Sequence, residues 1–337
     1  MIYSVQYLRG FAALLVVMSH VFTKTSQLSG YKGEWFSIGP AGVDLFFIIS
    51  GFIMCKATER KAISPTSFML ARVKRIIPLY WFLSLVALAI FLMRPDLVNS
   101  SGGTTTVLHS FTLFPTGEKL LIQNGWTLSF EFLFYLIFAA SIAINSDNKI
   151  RNTIIVLCSL VCAGLLLEPN GAALGFLTST LLLEFAMGMA AYLYLRKYSG
   201  HKLINAGLII FGMIALCAFA EYGKTPYRAL CFGLPMLCIF IGFVSFEADL
   251  KKASHKKTLW SFKVLGDSSY SLYLFHPFAL SLSAVVIKVL HLQSNVAIST
   301  LILISAALVS GYMCYAWLEV PLNKLFKVGS PKVVSVA

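Results

Sequence analysis

The sequence predicts an all-α fold: a polytopic membrane bundle of about ten transmembrane helices with both termini in the cytoplasm. Hydrophobic residues make up 58% of the 337, charged residues only 12%, and mean hydropathy is +0.80. An ordinary soluble domain is about a quarter charged. Long apolar stretches recur along the whole chain without a separate polar block. We therefore expect residues 1–337 to form a single integral membrane domain with no appended soluble domain.

Ten segments are each close to the ~20 residues that a helix needs to cross a bilayer. They lie at 4–23, 38–55, 76–93, 126–145, 152–167, 173–194, 203–220, 228–246, 264–289 and 296–318. The segment 104–122 contains Pro115 and Gly117 and is too interrupted to be a span. We interpret this segment as an outer loop or a re-entrant piece.

The distribution of basic residues predicts the orientation, because cytoplasmic loops carry an excess of Lys and Arg. With the N-terminus inside, 20 of the 27 basic residues fall on the cytoplasmic side and 7 on the other. The net charge of +13 is then mostly explained by topology, and a nucleic-acid partner is not expected. The seven cysteines lie in apolar segments without a CxxC pair or a cluster of histidines, so no metal site is expected either.

Ionisable side chains occur inside several predicted spans, where each costs at least ~2.5–3.5 kcal/mol. Arg9 and His20 are eleven residues apart in the first span. This spacing returns to within ~20° of the same helix face, with ~16 Å between them along the axis. Asp44 and Glu131 lie toward the same outer ends of their spans as His20. We expect the outer half of the bundle to bring a histidine together with one or two carboxylates.

The inner ends of the spans have a different chemistry. Arg72, Lys74 and Arg75 precede Pro78 at the predicted cytoplasmic mouth of the third span. Arginine suits phosphate groups because its guanidinium bonds two oxygens at once. A basic inner mouth and an outer acid/base pocket suggest that a phosphorylated donor enters from the cytoplasm and reacts further out.

Five segments of the chain, in the same order, resemble the membrane-bound acyltransferase-3 family. These segments are Leu8–Leu14 with His20, Gly42–Phe47 with Ser50–Phe52, Arg72–Trp81, Gly125–Glu131 with Phe134–Tyr135, and Gly266–Leu274 with His276–Pro277. The short stand-alone members that acetylate O-antigen or exopolysaccharide are the most similar, through Val5–Gly10 and Gly125–Leu128. Lys74 departs from the commoner pattern, in which some members have a further Arg.

The resemblance implies a multi-pass enzyme of the bacterial inner membrane. Its members use cytoplasmic acyl-CoA, here with acetyl-CoA favoured as co-substrate, to acylate hydroxyl groups of cell-surface sugars. The implied partners are therefore acyl-CoA, a lipid-linked or polymerised glycan and membrane lipid, with no metal and no nucleic acid.

The resemblance also implies roles for individual residues. His20 is expected to be the base or the acyl carrier, and Asp44 or Glu131 would fix its tautomer as further catalytic groups. The expected donor-binding residues are Arg9, Arg72, Arg75, Tyr80, Ser269 and Tyr270. The expected substrate-binding residues are Trp126 and His276.

Structural alternatives remain for several of these residues. Asp44 could only hold neighbouring helices together, and Trp126 could belong to an interfacial aromatic belt. The positive-inside pattern would place Arg72 and Arg75 at an inner mouth in any case. His276 could be a packed histidine beside a proline kink. The alternative function is a membrane transporter or flippase, which also keeps buried charges, although no internal repeat is visible in the sequence.

Overall fold

The computed structural model describes residues 2–30, 36–59, 63–95, 104–198, 200–224, 227–253 and 257–327. These residues form α1 (Tyr3–Ser29), α2 (Ala41–Ala57), α3 (Pro65–Met93), α4 (Val107–Thr112), α5 (Trp126–Ile144), α6 (Lys149–Leu167), α7 (Ala172–Leu177), α8 (Leu182–Lys197), α9 (Lys202–Ala218), α10 (Leu234–Val244), α11 (Glu247–Ala253), α12 (Lys257–Asp267), α13 (Ser269–Val289), α14 (Val296–Cys314) and α15 (Val320–Leu325). Single 3₁₀ or π turns precede α5 and α10 and follow α9 and α14. Within these ranges the only β pairing is an isolated bridge between Thr105 and Lys119.

The predicted all-α, multi-pass membrane architecture is confirmed. Seven helical segments of the described chain are long and apolar enough to cross a bilayer, and the bent pair α10–α11 would make an eighth. The count of ten spans is not reached. Helices α2 and α9 have 17 residues each, which is ~26 Å of helix against a hydrocarbon core of ~30 Å. The number of crossings and the side of the termini stay predictions.

The segment 104–122 is anchored to α3 and does not span. Its only helix, α4, has six residues, and the Thr105–Lys119 bridge joins the chain before α4 to the chain after it. The hydroxyl of Tyr80 donates to the carbonyl of Ser110 at 2.6 Å, and the indole of Trp81 donates to the carbonyl of Phe111 at 3.0 Å. The segment thus leads the chain into α5 at a fixed position.

Helix α1 lies at the centre of the fold and packs against α2, α12, α13 and α14. Its N-terminus is capped from a distant part of the chain: Glu247 accepts from the backbone N–H groups of Tyr3 at 2.9 Å and Ser4 at 2.7 Å. A carboxylate is favourable there because the first N–H groups of a helix lack partners and carry the positive end of its dipole. This cap fixes the first turn of α1, two turns before Arg9.

Glycine permits a close helix crossing between α2 and α8. A Cβ atom on Gly51 would collide with the carbonyl oxygen of Phe185, and one on Gly188 would collide with the carbonyl oxygen of Ile48. Small residues at such crossings let two membrane helices approach with their backbones in contact.

We expect Gly188→Ala to lower the apparent melting temperature of the detergent-solubilised protein, because the added methyl group forces α2 and α8 apart. Overpacking of this kind costs about 1–3 kcal/mol. Gly207→Ala is the matched control, since Gly207 lies on α9 with open space around it. Equal melting temperatures for the two variants would contradict the close crossing.

Candidate active site

Two histidines from different helices form the centre of the site. His20 of α1 and His276 of α13 are joined by a 2.7 Å hydrogen bond between His20 Nδ1 and His276 Nε2. His276 is fully buried, whereas His20 is exposed on its other side. A base at this position would therefore be oriented by the hydrogen bond to buried His276 and would be accessible from outside the bundle.

The end of α1 beyond His20 is polar. It carries Thr23, Lys24, Thr25, Ser26, Gln27 and Ser29. The 27 residues of α1 extend over ~40 Å, which exceeds the ~30 Å hydrocarbon core. The composition thus favours a position of His20 near the interface, with its exposed side toward polar groups rather than toward acyl chains.

A large cavity of about 1270 Å³ lies within the bundle, and its lining includes Tyr273 but neither histidine. Helices α1, α2, α3, α5, α8 and α13 contribute most of its walls. Arg9, Arg72 and Arg75 give its interior a positive charge, and Glu131 lies among them. The predicted residues that line this cavity together are Arg9, Arg72, Arg75, Glu131, Ser269 and Tyr270.

Several polar atoms of this wall lack a protein partner. Arg72 Nε and Ser269 Oγ are buried without a hydrogen bond to any described residue. Glu131 and Glu319 interact electrostatically with Arg9 and Arg75. Since unpaired buried donors are costly, atoms of this kind are typical of a site that a polar ligand completes.

Charged residues surround the cavity at the end where α2 and α8 finish. Lys56, Glu59, Arg196 and Lys251 lie there. Lys56 donates to Glu59 at 2.8 Å, and this hydrogen bond lowers the pKa of the Glu59 carboxyl. The positive charges are in excess at this mouth, as they are inside the cavity.

The cavity wall includes Tyr273, one turn before His276 on α13. The ring centroids of Tyr273 and His276 are 6.3 Å apart. Pro277 has no N–H for the carbonyl of Tyr273, and the side-chain amide of Asn124 donates to that carbonyl instead, at 2.9 Å. The hydroxyls of Tyr273 and Thr127 lie 3.0 Å apart and fix the wall on the α5 side.

Neither of the two carboxylates expected beside His20 is its hydrogen-bond partner. Asp44 is fully buried and pairs with Arg228, at 2.6 Å from Nη2 and 3.1 Å from Nε, and Glu131 lies in the cavity. The hydrogen-bond partner of the His20 ring is His276. The buried Asp44 is therefore neutralised by the partly buried Arg228, and a catalytic role for Asp44 has no geometric support.

Two further candidates lie away from the cavity wall. Tyr80 is fully buried and its hydroxyl donates to the carbonyl of Ser110, so its role in donor binding stays a prediction. Trp126 begins α5 half-buried, with its ring edge-on to Phe130. Its role in substrate binding stays a prediction.

Sequence reasoning missed the partnership of Arg228 and Glu184. In the structure Glu184 is fully buried and interacts electrostatically with Asp44 and Arg228. The presence of Arg228, Asp44 and Glu184 in separate apolar segments indicates that these charges pair within the membrane. Which residues pair with each other depends on how the helices pack.

We expect Arg228→Met to lower the apparent melting temperature strongly, because it leaves Asp44 buried without its cation. Breaking a buried pair in this way costs about 3–5 kcal/mol. The double variant Asp44→Asn with Arg228→Met removes both charges and should recover most of the loss. A double variant as unstable as the single one would show that charge pairing is not the cause.

The fold and the site together define a multi-pass helical membrane protein whose cationic cavity ends beside a histidine pair. The model of the acyltransferase-3 family, described as an acyltransferase domain, matches residues 2–315. The chain therefore belongs to this family of acyltransferases.

Curated relatives extend the match. The exopolysaccharide production protein ExoZ of Rhizobium meliloti is 35% identical over 263 residues, covering 75% of this chain and 80% of ExoZ. The O-acetyl transferase of Shigella phage Sf6 is 25% identical over 301 residues, covering 83% and 84%. The peptidoglycan O-acetyltransferase OatA of Listeria monocytogenes is 23% identical over 365 residues; 95% of this chain matches 56% of OatA. No solved structure shows a significant match.

Proposed function

We propose that this protein transfers an acyl group, with acetyl favoured, from cytoplasmic acyl-CoA to a hydroxyl group of a cell-surface polysaccharide. The acceptor would be a glycan such as O-antigen or exopolysaccharide at the outer face of the bacterial inner membrane. Membership of the acyltransferase-3 family supports the reaction type. The names of the relatives, an exopolysaccharide production protein and an O-acetyl transferase, support the acceptor class.

The observation that carries the donor assignment is the cationic cavity. Its volume of about 1270 Å³ exceeds the ~300–1,000 Å³ of ordinary small-molecule sites, as a long donor such as acyl-CoA requires. Arg9, Arg72 and Arg75 offer guanidinium groups to its phosphates. The charged mouth carries Lys56, Arg196 and Lys251, and the positive-inside rule places such a mouth in the cytoplasm.

In the proposed reaction His20 acts on the acceptor hydroxyl. Its unprotonated ring nitrogen removes the hydroxyl proton, and the oxygen attacks the thioester carbonyl. The carbon–sulfur bond then breaks, and the leaving thiolate takes the proton from the imidazolium. The cavity extends to Tyr273, one turn before His276, so donor binding would have to move the Tyr273 side chain to bring the thioester carbonyl to His20.

We expect His20→Ala to lose at least about a hundredfold in transfer rate, because general-base catalysis contributes ~10²–10⁴-fold. The measurement is acetyl label transferred from radiolabelled acetyl-CoA to alkali-sensitive ester on the glycan of membrane vesicles. Thr23→Ala is the matched control, since Thr23 is exposed one turn further along α1. A correctly inserted His20→Ala protein with the rate of the wild type would refute the proposed mechanism.

We expect Arg72→Gln and Arg75→Gln each to raise the KM for acetyl-CoA by about tenfold or more, because a hydrogen bond to a charged group contributes about 1.5–3 kcal/mol. Lys74→Gln is the control, since Lys74 is on the same helix but does not line the cavity. An equal rise in KM for Lys74→Gln would indicate that charge at the membrane surface matters rather than contact in the cavity.

A further inference from the structure

The hydrogen bonds of the histidine pair fix where the protons are. His276 Nδ1 lies 2.9 Å from the carbonyl oxygen of Leu272, one helical turn earlier on α13. A carbonyl oxygen only accepts hydrogen bonds, so Nδ1 of His276 carries a hydrogen. In a neutral imidazole the other nitrogen is then an acceptor, and His276 Nε2 accepts.

The hydrogen position on His20 follows from that on His276. Because His276 Nε2 accepts, the hydrogen in the 2.7 Å bond belongs to His20 Nδ1. Neutral His20 therefore has its lone pair on Nε2, at the far side of the ring from His276. The opposite assignment requires a charged His276, and full burial of this ring disfavours its charged form.

His276 is held rigidly enough to impose this arrangement. Its ring is fully buried and bonded at both nitrogens. The following Pro277 fixes the backbone, and Asn124 occupies the carbonyl of Tyr273 that the proline leaves open. His20 is attached to the outer face of this fixed group.

We propose that His276 is a positioning residue for the acyl transfer: it sets the tautomer and ring orientation of His20 so that His20 Nε2 serves as the base. This inference rests on the proposed function. When His20 takes the acceptor proton, its Nδ1–H continues to donate to His276 Nε2, and the chain through Leu272 stabilises the imidazolium. His276 thus takes the role of the carboxylate in a catalytic triad: it accepts a hydrogen bond from the base and orients the base. Unlike a carboxylate, neutral His276 carries no negative charge.

The test uses the full-length protein in membrane vesicles, with radiolabelled acetyl-CoA and the vesicle glycan. His276→Leu removes the acceptor, His276→Gln places an amide oxygen near the position of Nε2, and His276→Asn places its amide near Nδ1. We expect His276→Leu to lower kcat by about a hundredfold while the KM for acetyl-CoA changes less than about twofold. His276→Gln should recover at least about tenfold of the lost kcat, and His276→Asn should stay low.

The variants show whether His276 orients His20 or only fills space. Equal activity of the Gln and Leu variants, at equal amounts of inserted protein, would reduce His276 to a packing residue and overturn the inference. Wild-type kcat in His276→Leu would overturn it as well. If His276→Leu fails to insert, the Gln and Asn variants are compared with each other. A higher kcat for His276→Gln supports the inference, and equal kcat values overturn it. A wild-type protein that labels no glycan would instead overturn the proposed function, and His20→Ala would then be indistinguishable from the wild type.

Discussion

The hydrogen bond between His20 and His276 is the contact on which the geometry of the site depends. The two helices that carry it also line the cavity, α1 through Arg9 and α13 through Ser269 and Tyr273. The approach of α1 to the chain leading into α13 is close, since a Cβ on Gly10 would lie 3.0 Å from the backbone nitrogen of Gly266. One interface therefore sets both the position of the candidate base and the path by which a donor would approach it.

Polar groups inside the bundle divide into two kinds according to their partners. Asp44 is matched by Arg228, and the carbonyl exposed by Pro277 is matched by Asn124. On the cavity wall, Arg72 Nε and Ser269 Oγ have no described protein partner. Unpaired buried donors on the cavity wall are available to a polar ligand.

The sequence predicted the helical architecture and the cluster of Arg9, Arg72 and Arg75 because both depend on properties of single segments: apolar length and charge at membrane depth. The sequence did not predict side-chain contacts between helices, because these depend on how each helix is rotated about its axis. Asp44 and His20 were placed at similar depth, yet Asp44 faces Arg228 and His20 faces His276. Nor did the sequence predict that the Tyr80 hydroxyl anchors the segment before α5. The count of ten spans stays a prediction, because α2 and α9, with 17 residues each, are short for a bilayer crossing.

In the proposed arrangement the donor lies in the cationic cavity with its acyl end toward the histidine pair. An electron cryomicroscopy structure of the protein with a non-transferable acetyl-CoA thioether would show whether this is so. We expect phosphate oxygens within hydrogen-bond distance, about 3 Å, of the Arg72 or Arg75 guanidinium, and the acyl group beyond Tyr273 toward His20. An analogue bound outside the cavity, or with its acyl group at the mouth beside Lys56, would contradict it.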